Sequence, residues 1–236
     1  MLQYFYKRLK VVKQMRIRKK KHLEERLEQV NRVLLNPPRD VLNVKLAVQD
    51  KKYFNFKEMF GNDNPVEIEI GCGKGGFIIE KAKGNPNINF IAVELLQNII
   101  VMAAENAVKD ELNNLMFLNS GAEYLARYLP ENSISNVYLN FSPPFPQKGY
   151  EGRRLTSDWF ICTYKSILKS GGAVYQKTDD REFFEYSKEK FIEHGFLVEE
   201  VSDLIDKGVI NNVETEYEKK FRALGIKINA LIAKKV

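Results

Sequence analysis

Short apolar runs alternate with longer amphipathic stretches from about residue 66 to the end of the chain. Compact apolar runs predict β-strands, whereas apolar positions that recur every three or four residues predict helices. We expect strands near 66–70, 90–94, 115–119, 137–141, 172–177, 197–202 and 226–233, and helices near 76–83, 97–109, 121–128, 157–168 and 181–193. This alternation is typical of βαβ units, so it predicts an α/β fold. The sheet should be seven-stranded, mostly parallel and doubly wound, with helices on both faces.

The amino-terminal part of the chain has a different pattern. A helix is expected over about 23–31, and the sequence NPP at 36–38 ends this segment because proline cannot continue a helix. Residues 39–64 are expected to be irregular. We therefore predict an amino-terminal arm over 1–35 and a folded domain over 36–236.

Positive charge is concentrated in that arm. The chain carries 37 basic and 31 acidic side chains, a net charge of +6. Residues 1–21 hold nine basic side chains and no acid, which leaves the rest of the chain slightly acidic. A basic arm of this kind suits a phosphate backbone. A solvated basic helix and a contact with an anionic membrane surface are the alternatives.

The composition argues against several classes of protein. Cys72 and Cys162 are far apart, so we expect no disulfide framework and a cytoplasmic location. These cysteines and the histidines His22 and His194 show no metal-ligand spacing, so no metal is expected. There is no apolar run long enough for a transmembrane helix, and no apolar segment follows the basic amino terminus as in a signal peptide.

The stretch VEIEIGCGKGG at 66–76 is the most informative one in the chain. Glycine allows sharp turns and close approach of a ligand because it lacks a Cβ. The pattern G-x-G-x-x-G over 71–76 fits dinucleotide binding, whereas E-x-G-x-G-x-G over 69–75 is an acid followed by alternating glycines. A carboxylate at the strand end suits a cationic ligand and repels a pyrophosphate, which favours the second pattern. A tight turn without a ligand is a third alternative.

A second acid supports a ligand that contains a nucleoside. The apolar run at 89–94 ends in Glu94, about 20 residues beyond the glycines, where an acid is placed to bind ribose hydroxyls. This signal does not choose between the two glycine patterns. A solvated strand end is the alternative for Glu94.

A stiff basic loop follows the fourth predicted strand. Residues 142–156 read SPPFPQKGYEGRRLT, in which three prolines restrict the backbone and Lys148, Arg153 and Arg154 supply positive charge. Such a loop beside a cofactor site suits a nucleic acid substrate. An ordinary surface loop is the alternative.

Several motifs, in order along nearly the whole chain from Met15, resemble those of the bacterial tRNA (guanine-N7-)-methyltransferase family. They are the glycine pattern, VYLNFS at 137–142, RRLT at 153–156, KTD at 177–179 and TEYE at 215–218. The resemblance implies a Rossmann-like class I methyltransferase fold, S-adenosylmethionine as cofactor and tRNA as partner. It implies methylation of guanine N7 in the variable region of tRNA, by a monomer or a homodimer. Residues 1–14 would then be an extension or follow a misplaced start codon.

The resemblance also implies a set of site residues. Cofactor binding is assigned to Glu69, Gly71, Cys72, Gly73, Glu94, Leu95, Gly121, Ala122, Asn140 and Ser142. Substrate binding is assigned to Lys148, Arg153, Arg154, Asp179, Thr215, Glu216, Tyr217 and Glu218. Catalysis is assigned to Asp179 and Glu218.

The chain departs from the family pattern at positions that the family uses. Pro143 stands where the family has an Asp with catalytic and cofactor-contacting roles, and Gly121 replaces an Asp in the adenine region. Further departures are Phe145, Gln147, Gly149, Tyr150 and Gly152. Guanine N7 has a lone pair and no proton, so its methylation needs no general base. We therefore expect a handicapped but active enzyme. An RNA-binding paralogue without activity and a methyltransferase with another substrate are the alternatives.

Overall fold

Eight strands form one mixed sheet in the computed structural model, which describes residues 21–38, 43–201 and 213–236. The strands are β1 (Leu34–Leu35), β2 (Val66–Ile70), β3 (Asn89–Glu94), β4 (Leu115–Asn119), β5 (Ile134–Asn140), β6 (Leu168–Thr178), β7 (Phe196–Val201) and β8 (Asn229–Lys235). Their order across the sheet is β1-β4-β3-β2-β5-β6-β8-β7. Strands β1 to β6 pair in parallel, whereas β8 runs antiparallel to both β6 and β7.

Helices lie on both faces of this sheet. They are α1 (Leu23–Gln29), α2 (Val44–Ala47), α3 (Phe56–Phe60), α4 (Gly76–Gly84), α5 (Gln97–Lys109), α6 (Leu125–Tyr128), α7 (Asp158–Ile167), α8 (Arg181–Glu193) and α9 (Glu216–Ala223). Two 3₁₀ turns span Ala122–Tyr124 and Glu151–Arg153. In the described part of the chain no helix is both long and apolar enough to cross a bilayer.

The sheet separates two apolar cores because successive strand residues point to opposite faces. Ile91 and Val93 of β3 pack on one face with residues of α6, α7 and α8. Phe90 and Ala92 of the same strand pack on the other face with residues of α1, α4 and α5. Both cores are fully buried at β3, which explains why the sequence of that strand is nearly continuous in apolar residues.

The predicted α/β class and the predicted helices on both faces are confirmed. The predicted number of seven strands is wrong, because β1 adds an eighth strand beside β4. A strand of two residues is too short to show any period. Two short helices, α2 and α3, also lie within the segment 39–64 that was expected to be irregular, of which residues 39–42 fall outside the described ranges.

The amino-terminal helix α1 packs against the domain. Leu23 and Val30 are buried, and the guanidinium of Arg26 donates two hydrogen bonds of 2.6 Å to the carboxylate of Glu105 in α5. Residues 1–20, which hold eight of the nine basic side chains of residues 1–21, lie outside the described ranges. The predicted division into an arm over 1–35 and a domain over 36–236 stays a prediction.

The turn from β2 into α4 depends on Gly75. This residue precedes the helix with a φ of 82°, in the left-handed region that favours glycine. A Cβ at this position would lie 3.0 Å from Ala103 Cβ and 3.0 Å from Ile79 Cδ1. Close packing of α4 against α5 therefore requires glycine here.

We expect Gly75→Ala to lower the free energy of unfolding by about 1–3 kcal/mol, because it adds both backbone strain and a steric overlap. Gly84→Ala is the matched control: Gly84 ends the same helix, and a Cβ there would meet nothing within 4 Å. This control should be neutral or stabilise by up to about 1 kcal/mol. Urea unfolding of both variants measures the difference, and equal midpoints would contradict the steric argument.

Candidate functional site

Polar side chains collect where three neighbouring parallel strands end. Glu69 lies one residue before the end of β2, Glu94 ends β3 and Asn140 ends β5. Because β2 pairs with both β3 and β5, these three residues lie at one edge of the sheet. In doubly wound sheets the carboxyl edge is where ligands bind.

Glu69 is a buried carboxylate with one unpartnered oxygen. Its side chain is only 2 % exposed, and its Oε1 accepts a hydrogen bond of 2.9 Å from Asn140 Nδ2. Its Oε2 is buried without a hydrogen-bond partner in the described structure. Burial raises the pKa of Glu69 to about 7, with a smaller contribution from Glu94, against the lowering effects of Asn140 and Lys177. An unsatisfied buried acceptor is costly, so this atom indicates that a ligand supplies the missing donor.

The glycine loop follows Glu69 and is open on its ligand-facing side. Gly71 and Gly73 have φ values of 80° and 56°, and a Cβ on either would meet nothing within 4 Å. The amides of Gly71 and Cys72 donate to the carbonyl oxygen of Val93 at 2.8 and 3.1 Å, which fixes the loop to β3. Burial raises the pKa of the Cys72 thiol well above its usual value, so this side chain is a small apolar group here.

Glu94 is held in place by the backbone. Its Oε2 accepts from the amide of Gly73 at 3.2 Å, and its Oε1 accepts from the amide of Leu96 at 2.9 Å. Asn119 at the end of β4 donates its side-chain amide to the carbonyl oxygens of Glu94 and Leu95. Leu95 is 49 % exposed and lies beside this carboxylate in the chain. The edge thus offers fixed acceptors next to an apolar surface, as a nucleoside requires.

The turn after β4 contains the next two predicted cofactor residues. Gly121 precedes the 3₁₀ turn Ala122–Tyr124. Ala122 is half-buried and packs against the core. Neither residue offers a polar side chain, so the chemistry of this turn depends on its backbone and on its neighbours.

The loop after β5 begins with a strained residue. Phe141 has a φ of 53°, in the left-handed region, and its amide donates to the carbonyl oxygen of Lys177 at 2.8 Å. Ser142 follows it, 8 % exposed, with an Oγ that has no partner in the described structure. This Oγ is a second unsatisfied buried polar atom in the predicted cofactor set. Pro143 next to it is exposed.

A buried ion pair connects β6 to α9. Lys177 Nζ lies 2.9 Å from Glu218 Oε2, and the two side chains are 7 % and 1 % exposed. Burial lowers the pKa of Lys177, although Glu218 and Glu69 oppose this shift. Lys177 lies in the KTD motif, but the sequence predicts no role for it, because the partner of a lysine in a strand is seen only in the folded chain.

The predicted substrate residues Thr215 and Glu218 face inward. Thr215 Oγ1 accepts from the amide of Glu218, and Glu218 Oε2 accepts from the amide of Thr215, which is a capping box at the start of α9. The capping box and the ion pair with Lys177 therefore hold α9 in place. The catalytic role assigned to Glu218 stays a prediction. For Glu216 the structure gives only the start of α9.

Tyr217 and Asp179 are accessible from solvent. Tyr217 is 55 % exposed and stacks on Phe141, with ring centroids 6.0 Å apart. Asp179 is half-buried and lines a cavity of about 680 Å³. The other lining residues are Arg181, Leu224, Gly225, Ile226, Lys227 and Asn229. Of the two residues predicted to be catalytic, Asp179 is thus the one that faces an open cavity.

The three basic residues of the proline-rich loop differ in their surroundings. Lys148 and Arg153 are exposed, and Arg153 stacks on Tyr150 at 4.5 Å. Arg154 turns inward: its Nε donates to the carbonyl oxygen of Pro144 at 2.8 Å and its Nη2 to that of Phe145 at 3.3 Å. The structure therefore gives Arg154 a role in shaping the loop, beside the substrate contact that the sequence predicted.

The described ranges contain no group of three or more His, Cys, Asp or Glu residues placed to hold a metal ion. The polar groups of the site are carboxylates, amides and hydroxyls on loops and strand ends.

Comparison with known proteins gives three results. Residues 63–231 match the family described as "Putative methyltransferase". The tRNA (guanine-N(7)-)-methyltransferase of Geobacillus sp. (strain WCH70) is 46 % identical over 73 % of this chain and 79 % of its own length. That of Listeria monocytogenes serotype 4b (strain F2365) is 38 % identical over 93 % and 98 %. Among solved structures, the 16S rRNA methyltransferase KamB has a TM-score of 0.58 at 14 % identity, covering 78 % of this chain and 95 % of that one, which shows the fold alone.

The raised pKa of Glu69 predicts a pH-dependent stability. The pKa is about 7 in the folded chain against an ordinary 4.5, so the folded state binds the extra proton between these values. The contribution of Glu69 to stability is therefore fully present below pH 4.5 and is lost as the pH rises through 7, by up to about 3 kcal/mol. Glu69→Gln should remove this loss.

Urea unfolding at pH 5 and pH 8, without cofactor, measures the effect. We expect Glu69→Gln to gain stability relative to the wild type at pH 8 and little at pH 5. Glu131→Gln, at an exposed position, is the matched control and should follow the wild type. A constant difference between Glu69→Gln and the wild type at both pH values would contradict the shifted pKa.

Proposed function

This chain belongs to the tRNA (guanine-N(7)-)-methyltransferase family, and on that premise we propose that it methylates N7 of a guanine in tRNA with S-adenosylmethionine as methyl donor. The observation that carries the proposal is the unpartnered Oε2 of the buried Glu69. We further propose that the target guanine lies in the variable region of tRNA and that the enzyme acts in the cytoplasm.

The residues at the sheet edge fit S-adenosylmethionine. Its ammonium group is a cationic donor, which matches the free oxygen of Glu69 and raises the ionised fraction of that carboxyl. Its ribose hydroxyls match the Glu94 carboxylate, which keeps lone pairs free beyond the two backbone hydrogen bonds that it accepts. The unpartnered Ser142 Oγ is a further polar contact for the methionine end. A dinucleotide fits less well, because Glu69 would repel its pyrophosphate.

The chemistry requires orientation rather than proton abstraction. When bound, S-adenosylmethionine supplies a sulfonium methyl group: the N7 lone pair forms the new bond to carbon, and the electrons of the broken bond to carbon return to sulfur. Guanine N7 carries no proton, so the chain has to hold the purine in line with the methyl group and support its new positive charge. Asp179 is the carboxylate that we assign to this task, since it faces the open cavity beside β6.

The tRNA contacts follow from charge and exposure. Lys148 and Arg153 present their charges to solvent on the loop after β5, and the basic residues 1–21 extend the positive charge along the chain. Such side chains position a phosphate backbone without reading its sequence. The exposed ring of Tyr217 is placed to stack on an unpaired base.

The alternative of a catalytically impaired RNA-binding paralogue is not favoured. The relatives named as methyltransferases match this chain at 38 to 46 % identity over most of its length. The loss of one charged hydrogen bond at position 143 costs about 1.5–3 kcal/mol, which slows a reaction by about 10- to 150-fold without abolishing it.

The test of the proposed function is methyl transfer from labelled S-adenosylmethionine to unmodified tRNA, followed by nucleoside analysis. We expect the wild type to form 7-methylguanosine. Pro143→Asp restores the carboxylate of the family pattern and should raise the rate by about tenfold or more. If neither protein forms 7-methylguanosine while both bind tRNA, the RNA-binding paralogue is the better description.

Arg153 and Arg154 form a matched pair for a second test. We expect Arg154→Lys to lower kcat by about tenfold or more, because lysine cannot hold two loop carbonyls in one plane. Its affinity for S-adenosylhomocysteine should not change. Arg153→Ala should leave kcat unchanged, weaken tRNA binding and reduce the slope of log affinity against log salt by about one.

Steady-state kinetics and a salt titration of tRNA binding separate these two effects. If Arg154→Lys keeps the wild-type kcat, then the two carbonyl contacts of Arg154 do not shape the loop for catalysis. If Arg153→Ala lowers kcat at saturating tRNA, the division of roles between the two arginines is wrong.

A further inference from the structure

The carboxylate of Glu123 occupies the space in which a side chain at position 121 would begin. A Cβ built on Gly121 would lie 2.5 Å from both Cδ and Oε1 of Glu123, and it would also overlap Oε2. Real Cβ atoms do not approach other atoms this closely, so the space is already filled. The acidic group of Glu123 therefore lies over the backbone of Gly121, where the chain itself has no side chain.

This carboxylate lies beside the predicted nucleoside site. Glu123 belongs to the 3₁₀ turn that follows β4, and β4 pairs in parallel with β3 so that Asn119 is opposite Glu94. Asn119 Nδ2 also donates hydrogen bonds of 2.9 and 3.1 Å to the carbonyl oxygens of Glu94 and Leu95. The turn with Glu123 thus follows a residue, Asn119, that is hydrogen-bonded to the strand end that carries Glu94.

Glu123 has acceptor capacity that the protein does not use. The residue is half-buried, and its carboxylate takes part in no hydrogen bond or ion pair with any residue in the described ranges. Glu94 differs, because both of its oxygens accept from backbone amides. A carboxylate held near the surface without a partner favours a ligand that brings a hydrogen-bond donor.

The order of the strands gives the order of the ligand contacts. Strands β5, β2, β3 and β4 are adjacent, and neighbouring strands lie about 4.8 Å apart. A ligand whose ammonium binds Glu69 on β2 and whose ribose binds Glu94 on β3 places its base toward the turn after β4. Leu95 and Leu96, 49 % and 42 % exposed, supply apolar surface at the same edge. Glu123 is then the acidic side chain that can contact the polar groups at the edge of the base.

We propose that Glu123 determines the specificity for adenine in the cofactor, by accepting a hydrogen bond from the exocyclic 6-amino group. A carboxylate accepts from an amino group and repels a carbonyl oxygen, so it distinguishes adenine from hypoxanthine. The inference rests on the proposed function and adds a residue that sequence reasoning missed. The sequence shows only that an acid of the family pattern is missing at Gly121. That the carboxylate of Glu123 fills the same space is seen only in the structure.

The experiment compares two ligands by calorimetry: S-adenosylhomocysteine and S-inosylhomocysteine, in which hypoxanthine replaces adenine. The wild type should prefer the adenine ligand by about tenfold or more, as expected for a hydrogen bond to a charged group. Glu123→Gln should bring the ratio of the two dissociation constants close to one, because its amide can donate to the 6-oxygen. Glu131→Gln, at an exposed position outside the site, is the control and should keep the wild-type ratio.

A second set of variants moves the carboxylate from position 123 to position 121. Glu123→Ala empties the space over residue 121 and should lose the preference for adenine. Adding Gly121→Asp to Glu123→Ala should restore it, because the new carboxylate starts where that of Glu123 was. A double variant that keeps the ratio of Glu123→Ala would overturn the proposal, since the base would then be recognised elsewhere.

The failure of the inference differs from the failure of the proposed function. If the wild type forms 7-methylguanosine and binds S-adenosylhomocysteine but Glu123→Gln keeps the wild-type ratio, then only the role of Glu123 is wrong. If the wild type binds neither ligand and methylates no tRNA, the proposed function fails and the inference fails with it.

Discussion

The burial of the Glu69 carboxylate is the constraint on which the rest of the site depends. Burial raises the pKa of this group, which is 2 % exposed, to about 7, so its ionised form depends on nearby groups that stabilise the charge. Asn140 lowers the pKa by a hydrogen bond and Lys177 does so through its charge. Lys177 is itself buried and pairs with Glu218, so charges of alternating sign extend from β2 through β6 to α9. The position of α9 is therefore coupled to the edge of the sheet at which Glu69 lies.

Helix α9 also supports the strained start of the loop after β5. Phe141 adopts a left-handed φ, which costs about 1–3 kcal/mol for a residue with a side chain. Its ring packs against Tyr217 and Phe221 of α9, with centroid distances of 6.0 and 5.7 Å. Arg154 holds the other part of the loop through two backbone carbonyls. The loop that carries Pro143 is therefore fixed from both sides, by packing against α9 and by the hydrogen bonds of Arg154. The Lys177–Glu218 ion pair, which holds α9, contributes indirectly to the shape of this loop.

The parts of the structure that follow local periodicity could be predicted from the sequence, and the parts that depend on side-chain direction could not. The helices at 97–109 and 181–193 and the strand ends at Ile70 and Glu94 lie where the pattern predicted them. Helix α9 was missed although T-x-x-E at 215–218 is a capping-box signal, because the same four residues were interpreted only as a substrate motif. The pair Lys177–Glu218 joins positions 41 residues apart, and the inward turn of Arg154 leaves no trace in the sequence.

This chain lacks an acid of the family pattern at positions 121 and 143, and the surroundings of these two positions differ. At position 121 the carboxylate of Glu123 fills the space in which a side chain would begin, so an acid is absent from this sequence position but present in the same space. At position 143 the residue is an exposed proline, and the polar groups of the predicted cofactor set that lack a partner in the described structure are the Ser142 hydroxyl and one oxygen of Glu69. In the proposed function these groups bind the methionine end of the cofactor, and the purine is assigned to Asp179. Because N7 needs no base, the proposed reaction requires orientation of the purine by Asp179, and we expect it to tolerate the proline.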